Sequence, residues 1–223
     1  MTRSPEMTAG DRGRFITVEG SEGAGKSTHL ATLVAHLEAH GIEVVSTREP
    51  GGTPLAEAIR DLLLARREEQ LDALAELLLM FAGRAQHLAC VIRPALAAGR
   101  WVVCDRFTDA SFAYQGAGRE MGQATVATLA ELVHGDLHPD LTLYLDLPRE
   151  VGLARARNRG ELDRFEVEGA PFFDRVRQGY LDLASAEPGR IRTVDASGDL
   201  DSVRSEVLAA VDAFLARTLG QGA

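Results

Sequence analysis

A chain of 223 residues with 45% hydrophobic content can enclose one core of ordinary size, so a single globular domain is expected. Its net charge of −9 argues against a broad basic surface, and so against non-specific binding of nucleic acid. Cys90 and Cys104 lack metal-ligand spacing and are expected to be reduced and buried. No opening apolar segment resembles a secretory signal, and no apolar run approaches the ~18 residues of a membrane span, so a cytoplasmic protein without membrane contact is expected.

In chain order, residues 1–13 are polar and read as a disordered tail before one domain over 14–219. The β-branched run FITVE (15–19) is a strand, and GSEGAGKST (20–28) follows it as a turn. Beyond the turn, Leu30, Leu33, Val34 and Leu37 share one helical face, and Gly41 is placed to end that helix. EVVST (43–47) is the next strand, with Arg48 at its tip. Residues 68–98 carry a long helical pattern interrupted near Pro94. The strand WVVCD (101–105) ends on Asp105 and Arg106, and LTLYLDL (141–147) and RIRTVD (190–195) complete the strand set. Val207, Leu208, Val211, Phe214 and Leu215 mark a final amphipathic helix. Strands alternating with helices predict an α/β fold, a five-stranded parallel sheet flanked by helices, with ligands at the carboxyl ends of the strands.

Gly20, four intervening residues, then Gly25, Lys26 and Ser27 match the Walker A phosphate loop, and the flanking strand and helix are the context it requires. Backbone N–H groups and the helix N-terminus would hold nucleotide phosphates, Lys26 would neutralise them, and Ser27 would ligate Mg²⁺. Lys26 is the only lysine among 24 basic residues, and a compact ammonium reaches between phosphates where a planar guanidinium fits poorly. Asp105, at a strand tip, is the expected second Mg²⁺ ligand, with a helix-capping role as its alternative. A GTPase switch is disfavoured: no NKxD motif occurs, and the only DxxG match, DASG (195–198), lies too late in the chain. Arginines at strand ends favour a phosphotransferase with a small acceptor, because charge on a moving phosphoryl must be held while water is excluded.

VEGSEGAGKST, TREPGGTPLAE (47–57), FAGRAQH (81–87), DRFTDASFAYQGAGR (105–119), PDLTLYLDLP (139–148) and RGELDRFE (159–166) resemble bacterial thymidylate kinase over roughly nine-tenths of the chain. The resemblance implies a P-loop nucleoside-monophosphate kinase with a small lid at about 155–168. It would transfer the γ-phosphoryl of ATP, with Mg²⁺, to dTMP, and use of dUMP is the alternative. Gly20, Ser21, Glu22, Gly23, Ala24, Gly25, Lys26, Ser27 and Thr28 would hold ATP, with Arg155 near the adenine. Arg48 and Arg106 would bind the dTMP phosphate, Arg84 and Gln115 the thymine edge with Ser111 nearby, and Tyr114 the deoxyribose. Glu22 would take a hydrogen bond from the 3′-OH. Ordinary roles stay open: a surface salt bridge for Arg48, a helix-surface position for Arg84 or Ser111, a core aromatic for Tyr114, an exposed loop residue for Glu22.

One departure from the family is Met80, where a phenylalanine usually stacks on the base; the neighbouring Phe81 is the other candidate for that contact. A second is Gly23, where some family members carry a catalytic arginine. The lid arginines Arg159 and Arg164 are therefore the expected source of that charge, beside Lys26 and Arg106. Family members pair as homodimers through helix packing. LAELLLMF (74–81) suits that, and equally an internal core.

Overall fold

The computed structural model describes residues 12–65, 68–157, 164–165 and 168–219. Five parallel strands form one sheet in the order β2-β3-β1-β4-β5, with β1 at Phe15–Glu19, β2 at Val44–Arg48, β3 at Trp101–Asp105, β4 at Leu141–Asp146 and β5 at Ile191–Asp195. The alternation of short buried strands with helices had pointed to this arrangement. β1 lies at the centre, bonded to β3 on one side and β4 on the other. The register sets Arg48 beside Asp105 and Val18 beside Asp105, so three strands finish together under the phosphate loop.

The helices are α1 (Lys26–Ala39), α2 (Pro54–Leu64), α3 (Ala73–His87), α4 (Arg93–Ala97), α5 (Thr108–Ser111), α6 (Gln123–Val133), α7 (Arg149–Arg157), α8 (Ala170–Ala186) and α9 (Leu200–Leu219). Their starts have local causes. Thr53 accepts the Ala56 N–H on its hydroxyl ahead of Pro54, and Asp72 accepts those of Leu74 and Ala75. Ile16, Val18, Val103, Leu141, Leu143 and Leu145 face α1 and α9 on one side of the sheet. Phe15, Val102 and Cys104 face Leu88, Ile92 and Leu96 on the other.

The 68–98 pattern divides differently from the expectation. The helical course runs unbroken from Ala73 to Ala97, with a π-helical turn at Leu88–Ile92 joining α3 to α4 just ahead of Pro94, so the proline does not interrupt it. Ala73–Ala97 is long and apolar enough to cross a membrane by length and composition alone, contrary to the reading that no such run exists. It nonetheless buries Glu76, Arg84 and His87 against the rest of the domain, as a core helix does. Cys104 is buried as expected, but Cys90, within the π-helical turn, is exposed. Two residues of the expected tail, Arg12 and Gly13, belong to the described domain; residues 1–11 lie outside the described residues. Arg12 pairs with Asp140 at 3.0 Å and the Gly13 N–H donates to the Leu96 carbonyl at 2.9 Å, so both are docked on the domain.

Candidate active site

The loop between β1 and α1 depends on backbone shapes that side chains rarely adopt: Gly23 has φ 79° and Gly25 φ 80°. Lys26 folds back over the loop, its ammonium donating to the carbonyls of Gly20 and Ser21, both at 3.0 Å. Burial, then the neighbouring Arg106, pulls the Lys26 pKa down to about 8 against the opposing pull of Asp105 and Glu22. A cavity of ≈ 420 Å³ opens over this loop, lined by Glu22, Gly23, Gly25, Lys26, Ser27 and Thr28, with Arg48, Arg60, Asp105 and Arg155 around them.

Asp105 and Ser27 both line it, and the Asp105 Oδ1 is buried with no hydrogen-bond partner among the described residues. An orphaned carboxylate oxygen beside a hydroxyl is a hard-oxygen donor set, and it fits Mg²⁺. Arg155 is held at the rim by the carbonyls of Ala196, Ser197 and Gly198 at 2.7, 3.2 and 3.1 Å.

A second cavity, ≈ 110 Å³, lies beside the first. Glu22, Glu49, Arg60 and Arg106 line both. The smaller one continues between Met80, Arg84, Phe107, Ser111, Tyr114, Gln115 and Phe165. At the shared wall, Arg106 Nη2 donates to Glu22 Oε1 at 2.7 Å, and the Tyr114 hydroxyl donates to both Glu22 oxygens at 2.9 and 2.8 Å. Burial alone would raise the Glu22 pKa; Arg106 and then Lys26 outweigh it and hold the carboxylate below its usual range.

Arg106 reaches this position through a left-handed backbone, φ 70°, a shape that costs a side-chain-bearing residue of order 1–3 kcal/mol and is held only by its surroundings. Its own N–H is bonded to the Val18 carbonyl, and the next N–H, of Phe107, donates to Glu19 Oε1 at 2.7 Å. The Tyr180 hydroxyl donates to Glu19 Oε2 at 2.8 Å and accepts from Arg106 Nη1 at 3.3 Å.

Arg84 is buried, not on the helix surface. Its Nε donates to Glu49 at 2.7 Å, and its Nη2 donates to the Phe107 carbonyl and the Ser111 hydroxyl, while Nη1 is buried without a partner among the described residues. The guanidinium stands 4.6 Å over the Phe81 ring. Phe81 packs with Leu77, Val126 and Ala130, so Met80 and not Phe81 lines the smaller cavity.

Two expected residues are placed elsewhere. Arg48 lines the loop cavity but not the smaller one; its side chain is half-exposed and pairs with Glu57 at 2.8 Å, the ordinary role left open for it. Arg164 donates to the Leu63 carbonyl at 2.8 Å and to Glu76 at 2.7 Å, and lines neither cavity. Arg159 and most of the expected lid lie outside the described residues.

Arg60, Glu49, Glu19, Tyr180 and Phe165 were not singled out from the sequence. Arg60 alone carried a local signal: it stands on α2 beside the buried positions Ala56, Ile59 and Leu63, where a charged side chain must reach a polar destination.

A family profile described as thymidylate kinase matches residues 18–207. A thymidylate kinase from Pseudomonas savastanoi pv. phaseolicola is 59% identical over 207 residues, covering 93% of this chain and 97% of its own. One from Teredinibacter turnerae is 55% identical over 203 residues, covering 91% and 99%. The crystal structure of a thymidylate kinase from Ehrlichia chaffeensis superposes with a TM-score of 0.73 at 34% identity, covering 90% of this chain and 99% of that one.

Proposed function

Because this chain belongs to the thymidylate kinase family and phosphorylates dTMP to dTDP at the expense of ATP, we propose that its two adjoining cavities divide the substrates between them. ATP occupies the larger cavity, with its phosphates on the loop 20–28 and Lys26, and its adenine side toward Arg155. dTMP occupies the smaller one. The observation that carries this reading is the shared wall: Glu22 and Arg106 line both cavities, so a phosphoryl held by the loop and an acceptor phosphate beside Arg106 meet there.

The acceptor is already an ionised phosphate at pH 7, so the transfer needs no protein nucleophile or general base. The chain contributes position and charge. Arg106 and Arg60 hold the dTMP phosphate, and Lys26 holds the ATP phosphates. Glu22, oriented by Tyr114, accepts from the sugar 3′-OH. Arg84 Nη1 donates to the thymine O4, Gln115 reads the neighbouring ring position, and Met80 packs on the ring through its polarizable thioether. Asp105 and Ser27 hold Mg²⁺, which, when bound, neutralises charge on the nucleotide phosphates. Leu74 and Leu78, four residues apart and half-exposed on α3, supply the apolar face on which a second copy packs to form a homodimer.

Arg84→Ala tests the acceptor assignment. It is expected to raise KM for dTMP at least tenfold while changing KM for ATP by less than threefold. An equal rise in both would remove Arg84 from the acceptor cavity.

A further inference from the structure

Glu76 is completely buried on α3, and the roles assigned above make no use of it. Its Oε1 accepts from Gln115 Nε2 at 2.8 Å. Its Oε2 accepts from Arg164 Nη2 at 2.7 Å and from Arg119 Nη2 at 3.2 Å. Gln115 is itself buried and lines the smaller cavity.

A side-chain amide offers a donor on one side and an acceptor on the other, and nothing in its shape decides which faces a ligand. Here the decision is made by charge. A carboxylate flanked by two guanidinium groups accepts and does not donate, so the amide nitrogen must turn to Glu76. The carbonyl oxygen is then left on the other side. Among the described residues no hydrogen bond is made to Gln115 Oε1. Arg84 Nη1 is likewise without a partner, its orientation set by Glu49, Phe107 and Ser111. The cavity therefore presents one fixed acceptor and one fixed donor to a flat ring.

We propose that Glu76 is the residue that sets the polarity of base recognition: by holding the amide nitrogen of Gln115 it makes the site select a pyrimidine with an N3–H donor and a 4-oxo acceptor, and reject a 4-amino pyrimidine. Thymine and uracil offer that pair. Cytosine offers the reverse, an acceptor at N3 and a donor at C4, so it meets oxygen with a lone pair and a guanidinium with an amino group. A site built on buried hydrogen bonds discriminates strongly, because a mismatched ligand leaves the site's own polar groups unpaired. Glu76 touches no substrate atom; it is a positioning residue acting through Gln115. The inference rests on the placement of the base in this cavity.

The test is the ratio of kcat/KM for dCMP to that for dTMP, measured for the unaltered protein, Glu76→Gln and Arg119→Gln. A glutamine at 76 can donate as well as accept, which frees the Gln115 amide to reverse. The ratio is expected to rise at least tenfold in Glu76→Gln and to stay within twofold in Arg119→Gln, which loosens Glu76 but leaves its bond to Gln115. A ratio unchanged in Glu76→Gln, with both activities reduced alike, would overturn the proposal and leave Glu76 a packing residue.

Should Glu76→Gln fail to fold, N3-methyl-dTMP and the unaltered protein decide the matter. Loss of kcat/KM by about a hundredfold or more is expected, and near-equal use of N3-methyl-dTMP would overturn the proposal. Failure of the base placement itself is separately visible: Arg84→Ala would then leave KM for dTMP unchanged.

Discussion

Gly23 in the phosphate loop lies against Gly152 in α7 so closely that a Cβ on Gly23 would stand 2.2 Å from the Gly152 carbonyl oxygen. The contact is reciprocal, since a Cβ on Gly152 would stand 2.7 Å from the Glu22 carbonyl oxygen. The loop is thereby docked directly on the helix that carries Arg155. A side chain at position 23 is excluded both by this backbone and by the positive φ, which alone costs roughly 1–2 kcal/mol. Gly23→Ala is therefore expected to lower the melting temperature and to raise KM for ATP several-fold, more than KM for dTMP. An alanine variant with unchanged stability and ATP affinity would show that α7 is free to move off the loop.

Lys26 makes a second prediction through its proton. In the unliganded protein burial and Arg106 hold its pKa at about 8, so part of the population is neutral at pH 8 and above. Nucleotide phosphates favour the charged form and raise that pKa. ATP binding should therefore take up protons at pH 8–9 and much less at pH 6.5. Calorimetry in buffers of different ionisation enthalpy measures the uptake, and Lys26→Met should abolish it. Equal proton uptake at both pH values would contradict the assignment.

Glu19 links stability to pH. Burial first, and then the nearby Asp109, raises its pKa to about 8, against about 4.5 when the chain is unfolded. Between those values the folded state holds a proton that the unfolded state has released. The contribution is complete below pH 4.5 and declines by roughly 1.4 kcal/mol per pH unit until about pH 8. Glu19→Gln keeps the size and loses the titration. Its urea midpoint should gain on that of the unaltered protein as pH rises from 5 to 8. Parallel curves for the two proteins would show that Glu19 ionises normally in the folded state.

Met80 lines the acceptor cavity, and Phe81 instead lies under the Arg84 guanidinium. Met80→Phe should therefore tighten dTMP two- to tenfold, measured as Kd by calorimetry, by replacing a thioether with a flat ring. An unchanged Kd would mean that thymine does not lie on residue 80.

The strands and the loop were legible because their signals are local. FITVE and WVVCD have the ends read from the sequence, and the Gly and Lys spacing of the loop needs no distant partner. The wall between the cavities was only half legible. Arg106 and Glu22 were named from a resemblance, but what holds Arg106 is Glu19 and Tyr180, 161 residues apart, and no local pattern joins them. Glu76 was hidden more thoroughly. It sits inside the apolar run LAELLLMF, where a single carboxylate reads as the polar edge of a core helix, and its partners Gln115, Arg119 and Arg164 come from two later segments. Arg48 was legible as a strand-end arginine, and it does line the loop cavity, but its partner Glu57, one turn into the next helix, was not read from the sequence.

The central claim is a single in-line transfer across the wall formed by Glu22 and Arg106. Its most direct test is the stereochemical course with ATP made chiral at the γ-phosphorus by oxygen isotopes and sulfur, and dTMP as acceptor. Inversion at phosphorus is the expected result, as one displacement between adjoining cavities requires. Retention, the mark of two displacements through a phosphorylated protein side chain, would contradict it.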